Sequence, residues 1–341
     1  MQPGNWDAEW VTGCWLTALP NWLDCADVPR GDTVLSGLRV LVTRTPERAG
    51  DLVAGLRDRG AEPVLAPMHQ AAAVAGQEAR DLSQLVRTVA DADAREWLVF
   101  TSVNTVRALQ AVVEGADGGS PDSSRHDQAL DLGEHLAQAV AGGLQIAAVG
   151  AATARAARNA GLPVHLVPPP EQSSAAGLVN VWPHAAEVNQ PTATGPAVVY
   201  LPQSAWARAT LRDGLEAKGW RVETAVAYRM VDFPAASPLT EVTSTGSVAV
   251  WDPHRAREEL ARGTVDAVVA TAPSLLWALF ASTDGKPPAP AVTVEPMACA
   301  VMGEPTLNAA QELGLKAVAA TVPDTAGLLD ALEHAVKENR A

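Results

Sequence analysis

Residues 149–168, VGAATARAARNAGLPVHLVP, decide how the chain is read. The apolar run LQIAAVG (144–150) ends at Gly150, an alanine-rich stretch with regularly placed arginines follows, and Gly161 stops it before a second apolar run. That order spells strand, tight turn, helix, stop and strand. Residues 301–320, VMGEPTLNAAQELGLKAVAA, follow the same grammar, with Gly303 aligned on Gly150. The device is used twice.

Further βα units extend the pattern outward. LRVLVT (38–43) precedes the amphipathic ERAGDLVAGLRDRG (47–60), WLVFTS (97–102) precedes VNTVRALQAVV, and AVVYLP (197–202) precedes ARATLRDGLEAKG. VDAVVATA (265–272) leads into PSLLWALFA, and MACAVMG (297–303) into EPTLNAAQELG. Strands alternating with helices predict an α/β fold with parallel sheets and right-handed crossovers. Thr101 aligns with Thr271 and Gly60 with Gly219, so the units form two similar sets. Two arrangements satisfy this order: tandem halves, or one discontinuous lobe in which the first unit completes the last two. EPVLAPM (62–68) and ETAVAYRM (223–230) lie where such crossings fall and have the composition to pair as a two-stranded bridge. Patterning leaves both arrangements open.

Composition narrows the class. A chain of 341 residues has room for about two domains on a scale of roughly 150 each. It is 48% apolar but only 4% aromatic, as suits an α/β protein. A net charge of −14 without a Lys/Arg run excludes a nucleic-acid groove, so any anionic ligand must be met locally. Cys14, Cys25 and Cys299 have neither zinc-ligand spacing nor a disulfide pattern. No apolar run approaches the ~20 residues that span a bilayer, no secretory leader is evident, and a cytoplasmic location is expected. Residues 1–36 hold four of the ten tryptophans without periodicity and read as a poorly ordered extension. The polar stretches 115–128, 184–196 and 283–291 read as surface loops.

The ordered set VLVTR, VFTS, VGAAT, AYRMV, APS and MGEPT resembles the uroporphyrinogen-III synthase family, over roughly residues 38–336. For the fold, the resemblance implies two similar parallel-sheet α/β lobes joined by a two-stranded β-ladder, the first lobe discontinuous in sequence. Residues 37–65 and 231–341 would form one lobe and 66–230 the other, with bridging strands at about 62–68 and 223–230. It also implies a cofactor-free, metal-free, monomeric enzyme acting in the cleft between the lobes. The implied substrate is hydroxymethylbilane, received by transient handover from hydroxymethylbilane synthase. The implied reaction closes this linear tetrapyrrole to uroporphyrinogen III, with loss of water, a spiro intermediate and inversion of ring D.

Candidate residues follow from substrate chemistry. The bilane cyclises unaided to the uninverted isomer, so the enzyme must chiefly hold one conformer. Its acetate and propionate arms suit helix N-termini, where unpaired N–H groups and the dipole meet anions. Gly150 would allow the tight turn and Thr153 would offer a hydroxyl, with Gly303 and Thr306 matching them; simple capping by threonine is the bland alternative. Thr101 and Ser102 close the VFTS strand, and Ser274 falls near a helix start. The family usually carries a hydroxyl residue two positions before that serine, where this chain has Ala272, so that one anchoring hydrogen bond is either missing or supplied by Thr271. The resemblance makes Tyr228 a donor or weak general acid for departure of the ring-A hydroxyl, against a packing role. Arg44 and Arg208 are placed to meet carboxylates, against the reading of solvated charges. Two other functions stand beside this one. A non-catalytic tetrapyrrole- or anion-binding relative fits the same features. A sugar-nucleotide transferase fits poorly, because its Gly-rich turn could only be EGADGG (114–119), which reads as loop.

Overall fold

Apolar side chains fill both faces of the first strand, Arg39–Val42: Val40 and Val42 enter one core and Leu41 another, all fully buried. Burial on both faces is why LRVLVT reads as a continuous apolar run, and it requires helices above and below the sheet. A computed structural model shows that arrangement and describes residues 33–116, 131–188, 197–240, 248–280 and 297–340.

The chain opens with β1 (Arg39–Val42), α1 (Pro46–Asp58), β2 (Glu62–Leu65), β3 (His69–Ala73), α2 (Gly76–Ala90), β4 (Glu96–Phe100) and α3 (Val103–Ala116). The short helices α4 (Leu132–His135) and α5 (Ala137–Ala141) lead to β5 (Gln145–Ala148) and α6 (Ala151–Asn159). Next come α7 (Ala175–Val181), α8 (Ala185–Val188), β6 (Val198–Ser204), α9 (Thr210–Ala217) and β7 (Arg221–Asp232). The remainder is β8 (Ala249–Val250), α10 (Pro253–Ala261), β9 (Ala267–Ala270), α11 (Pro273–Phe280), β10 (Ala298–Val301), α12 (Glu304–Glu312), β11 (Ala317–Ala319) and α13 (Thr325–Arg340).

These strands form two sheets. The first is wholly parallel, in the order β11-β10-β9-β1-β2-β8, so the N-terminal β1 and β2 sit among strands from the last third of the chain. The second is β3-β7-β6-β4-β5, parallel except where β3 runs antiparallel to β7. The discontinuous arrangement is therefore the observed one. In the second sheet Leu98 and Phe100 face the α2–α3 core, and Trp97 and Val99 face a core that includes Leu178, Trp182 and Trp220. Gly161 and Gly314, which stop the two repeated helices, have φ of +76° and +74°, a conformation that glycine reaches without a Cβ clash.

The joining ladder lies one element later than the sequence predicts. EPVLAPM supplies β2, which pairs with β1 and β8 inside the first sheet; the bridge is His69–Ala73 against Tyr228–Asp232. Three residues, Ala66 to Met68, carry the chain from the carboxyl end of β2 into the ladder. β7 reaches the ladder by running past Ser204, where β6 ends. The ladder thus hangs from the carboxyl edges of both sheets. Gln70 pins the returning chain there: its amide donates to Thr240 O and accepts from Ala235 N, each at 2.9 Å.

The expected extension is also shorter than 1–36. Leu35 is fully buried in the α1–α13 core, and Gly37 N donates to Gly60 O at 2.9 Å, so Thr33–Ser36 belong to the lobe. The expected loop 184–196 begins with helix α8, and the rest of it, from 189, lies outside the described residues. So do Cys14, Cys25, residues 117–128 and the loop 283–291.

Candidate functional site

The carboxyl edge of the second sheet gathers hydroxyl groups. Thr101 and Ser102 follow β4 directly, and Ser102 caps α3 by accepting from Thr105 N at 3.2 Å. Tyr228 arrives from β7 through a bulge. Gln203 pairs with Val226 but Ser204 pairs with Tyr228, leaving Ala227 as the extra residue. The extra residue shifts the alternation, so Ala225, Ala227 and Tyr228 all enter the α2–α3 core. Tyr228 is 7% exposed, and its phenol oxygen lies 3.0 Å from Ser102 Oγ.

Behind this contact the hydroxyls continue inward. Ser102 Oγ lies 3.2 Å from Thr105 Oγ1, which lies 3.3 Å from Thr101 Oγ1. Four hydroxyls carry four protons and three links use three, so one O–H is left to point outward. If Thr101 donates to Thr105, Thr105 to Ser102 and Ser102 to Tyr228, the free proton is on the phenol. Ser102 then accepts two bonds and donates one, within its capacity. Thr105 was missed from sequence; its signal is the Ser102-x-x-Thr105 spacing across a helix start.

Gly150 stands on the neighbouring strand end, where Val149 N donates to Phe100 O at 3.1 Å. It is the N-cap of α6, and its φ of −177° is ordinary extended backbone, so the expected tight turn is not what glycine provides. Space is: a Cβ there would lie 3.2 Å from Ser173 Cβ. Thr153 and Thr306 sit inside the first turns of α6 and α12, 6% and 3% exposed, and the N-caps are Gly150 and Gly303, so capping by threonine is overturned. Elsewhere α7, α10 and α13 have serine or aspartate side chains bonded to their first-turn amides, whereas α6 and α12 have glycine caps that offer those amides no side-chain acceptor.

The two glycine-capped starts are unequal. In α6 the amides of Ala151, Ala152 and Thr153 precede the first helical bond, donated by Ala154 N to Gly150 O at 2.9 Å, and the first turn has no acid. In α12 Pro305 removes one donor, Thr306 N and Leu307 N both donate to Gly303 O at 3.0 Å, and Glu304 adds a carboxylate. An anion is favoured at α6 and opposed at α12.

On the first sheet's carboxyl edge, Arg44, Thr271 and Gly303 follow the adjacent strands β1, β9 and β10. Thr43 N donates to Val269 O at 3.2 Å and Met302 N to Ala270 O at 3.1 Å, which keeps the three strand ends level. Arg44 is half-buried; burial first, then the nearby Arg48, lowers its affinity for its proton. Ser274 is exposed in the first turn of α11, and Arg208 is exposed beyond β6. The structure thus brings Thr101, Ser102 and Tyr228 into one bonded group with Gly150 beside it, and aligns Arg44, Thr271 and Gly303 on a second edge. Hollows of about 40 Å³ beside Ala49 and Val248 and about 280 Å³ beside Ser83 and His135 share no residue with the hydroxyl group. Among the described residues no group of three His, Cys, Asp or Glu is placed to hold a metal, and no helix is long and apolar enough to cross a membrane.

Two α/β sheets share one chain discontinuously and gather hydroxyls and open α6 amides at their carboxyl edges, where open α/β sheets take their ligands. The family model described as Uroporphyrinogen-III synthase HemD matches residues 50–330, and the chain belongs to that family. A protein of Methanothermobacter thermautotrophicus provisionally named uroporphyrinogen-III synthase is 27% identical over 281 residues, 81% of this chain and 90% of its own. The crystal structure of a mutant uroporphyrinogen III synthase from the extreme thermophile Thermus thermophilus has 22% identity and a TM-score of 0.51, covering 89% of this chain and 100% of its own. Uroporphyrinogen-III synthetase from Helicobacter pylori 26695 has 12% identity and a TM-score of 0.42, covering 86% and 97%. The Thermus likeness is one of fold.

Proposed function

We propose that this chain is a uroporphyrinogen-III synthase, a cyclising hydro-lyase that converts hydroxymethylbilane to uroporphyrinogen III in tetrapyrrole biosynthesis. The observation that carries the reading is the Thr101–Thr105–Ser102–Tyr228 hydroxyl chain at the ladder, in a chain whose family match spans residues 50–330.

In this reading the acetate and propionate arms are held by the open amides of α6 and by Arg44 and Arg208, with Thr271 and Ser274 as further donors. Gly303 and Thr306 shape the α12 start rather than grip. Tyr228 donates its hydrogen bond to the ring-A hydroxyl, which leaves with a proton as water. The substituted carbon of ring D attacks the resulting methylene, forming the spiro intermediate. The older bond from that carbon to the methylene of ring C then breaks, and the freed methylene is recaptured by the unsubstituted α-carbon of ring D, which closes the macrocycle with ring D inverted. The proton released as the last pyrrole regains aromaticity balances the one taken by water. Most of the acceleration is positional: effective molarities of about 10⁵ M or more are available to a correctly held pair of groups. No cofactor enters any step. Action as a cytoplasmic monomer, supplied by hydroxymethylbilane synthase, belongs to the same proposal.

Ala272, Glu304 and Pro305 favour one alternative, a relative that clasps a tetrapyrrole without rearranging it, because each weakens anchoring in the first lobe. Coupling the chain to a hydroxymethylbilane-generating deaminase and separating the oxidised products decides between them. The proposal expects type III product; a clasp leaves the spontaneous type I.

A further inference from the structure

Trp206 is 62% exposed, the only aromatic among the large exposed apolar side chains of the described residues. Of the other described indoles, Trp97, Trp182, Trp220 and Trp251 are at least nine-tenths buried and Trp277 is partly buried against the core beside α11 and α12. Exposure of an indole opposes the hydrophobic effect and calls for a reason.

Its surroundings supply one. Trp206 follows Ala205, whose N–H donates to Tyr228 O at 3.0 Å, so the indole is carried on backbone bonded to the Tyr228 main chain. Trp206 N donates to Ser204 Oγ at 3.2 Å and Ala207 N to Ser204 O at 2.9 Å, which fix the turn. The ring itself meets His69, the first residue of the ladder, at 5.6 Å and 82°. His69 pairs with Asp232 while Ala73 pairs with Tyr228, so the imidazole and the phenol both belong to the ladder that joins the sheets. The indole is therefore oriented yet open to solvent, as a preformed stacking surface would be. Arg208, two residues on, is exposed and places a cation beside that surface.

We propose that the Trp206 indole, steadied by His69, is the face on which one pyrrole ring of the substrate stacks, with Arg208 meeting a carboxylate arm of that ring. The assignment rests on the tetrapyrrole reading above. A pyrrole offers an aromatic face with anionic arms at its rim, and an exposed indole with a neighbouring guanidinium is the matching surface. Stacking here would hold a ring next to Tyr228, where the leaving hydroxyl must lie.

The test compares the full-length wild type with Trp206→Ala, Trp206→Phe and His69→Ala. Binding of uroporphyrinogen III is followed anaerobically by tryptophan fluorescence, and KM by the deaminase-coupled assay. Because the side chain is exposed, the variants should unfold at the wild-type temperature, which is checked by circular dichroism. Trp206→Ala should weaken binding and raise KM by about five- to tenfold, Trp206→Phe by less than about threefold, and His69→Ala by an intermediate factor. Trp206→Phe should also lose the ligand-quenched, solvent-exposed part of the emission. Wild-type affinity and KM in Trp206→Ala overturn the proposal, as does equal damage from Ala and Phe, which would assign the effect to the turn rather than to stacking. If wild type yields only type I product, the enzyme reading falls, whereas the binding titration still decides for or against Trp206.

Discussion

Replacing Tyr228 by phenylalanine removes one oxygen and leaves the ring in its core. The lost hydroxyl has one protein partner, Ser102 Oγ at 3.0 Å, and Ser102 keeps its contacts with Thr105 N and Thr105 Oγ1. One neutral hydrogen bond contributes about 1 kcal/mol, so the melting temperature should fall by only about 2–4 °C. The effect on turnover should be larger. A positioned proton donor contributes about 10²–10⁴-fold, and the lower end applies because the bilane loses its hydroxyl unaided. A fall in kcat of about 10²-fold corresponds to ~2.7 kcal/mol on the barrier. The deaminase-coupled assay reads both rate and isomer ratio. As the catalysed route slows, spontaneous closure competes and the type III fraction should fall with it. A folded Tyr228→Phe protein with wild-type kcat and an unaltered type III fraction would refute the assignment, and Tyr228 would then be packing alone.

Arg44→Glu and Arg208→Glu should each raise KM by about tenfold or more with a smaller change in kcat, since each turns a carboxylate contact into a repulsion; unchanged KM values in steady-state kinetics remove them from the site. Gly150→Ala should raise KM because its methyl group crowds Ser173 at the α6 start, whereas Gly303→Ala meets nothing within 4 Å and should behave as wild type in KM and melting temperature. Equal effects of the two would contradict the inequality of the helix starts. Burial pushes the Cys299 thiol up to about 12. The unfolded thiol ionises first, near pH 8.5, so the unfolded state binds fewer protons between there and about 12. Stability should therefore decline with rising pH by up to ~1.4 kcal/mol per unit from this group. Burial and the Glu96 carboxylate also raise Tyr200, so the comparison is with Cys299→Ala, which retains Tyr200. Denaturant titrations from pH 8 to 11 should show a steeper decline for wild type, and parallel curves would refute a buried neutral thiol.

The repeated strand–helix units were legible because burial on both faces leaves unbroken apolar runs such as LRVLVT and WLVFTS, and because helix stops such as Gly161 and Gly314 need a positive φ. The bridge was misplaced for a physical reason. EPVL has the apolar character of a buried parallel strand, whereas HQAAA, the true bridging strand, is short and lacks β-branched residues; its pairing is set by β7 and by Gln70. Choosing between tandem and discontinuous lobes required strand order, which nonlocal pairing determines and local patterning does not encode. At the site, Ser102 and Tyr228 were named separately, but their contact depends on a bulge at Ala227 that no alternation rule reveals. Thr105 lies inside the helical run VNTVRALQAVV and was not among the residues named, and the inequality of α6 and α12 was hidden by their shared glycine until Pro305 and Glu304 were placed in the first turn. Leu35 looked like part of an aperiodic extension because one buried leucine has no period to show.

The central claim is that this chain steers ring closure. Full-length protein is coupled to a hydroxymethylbilane-generating deaminase, the products are oxidised, and the type I and type III uroporphyrins are separated chromatographically. The account predicts that type III predominates in proportion to the amount of protein added; product that stays type I at every protein concentration contradicts it.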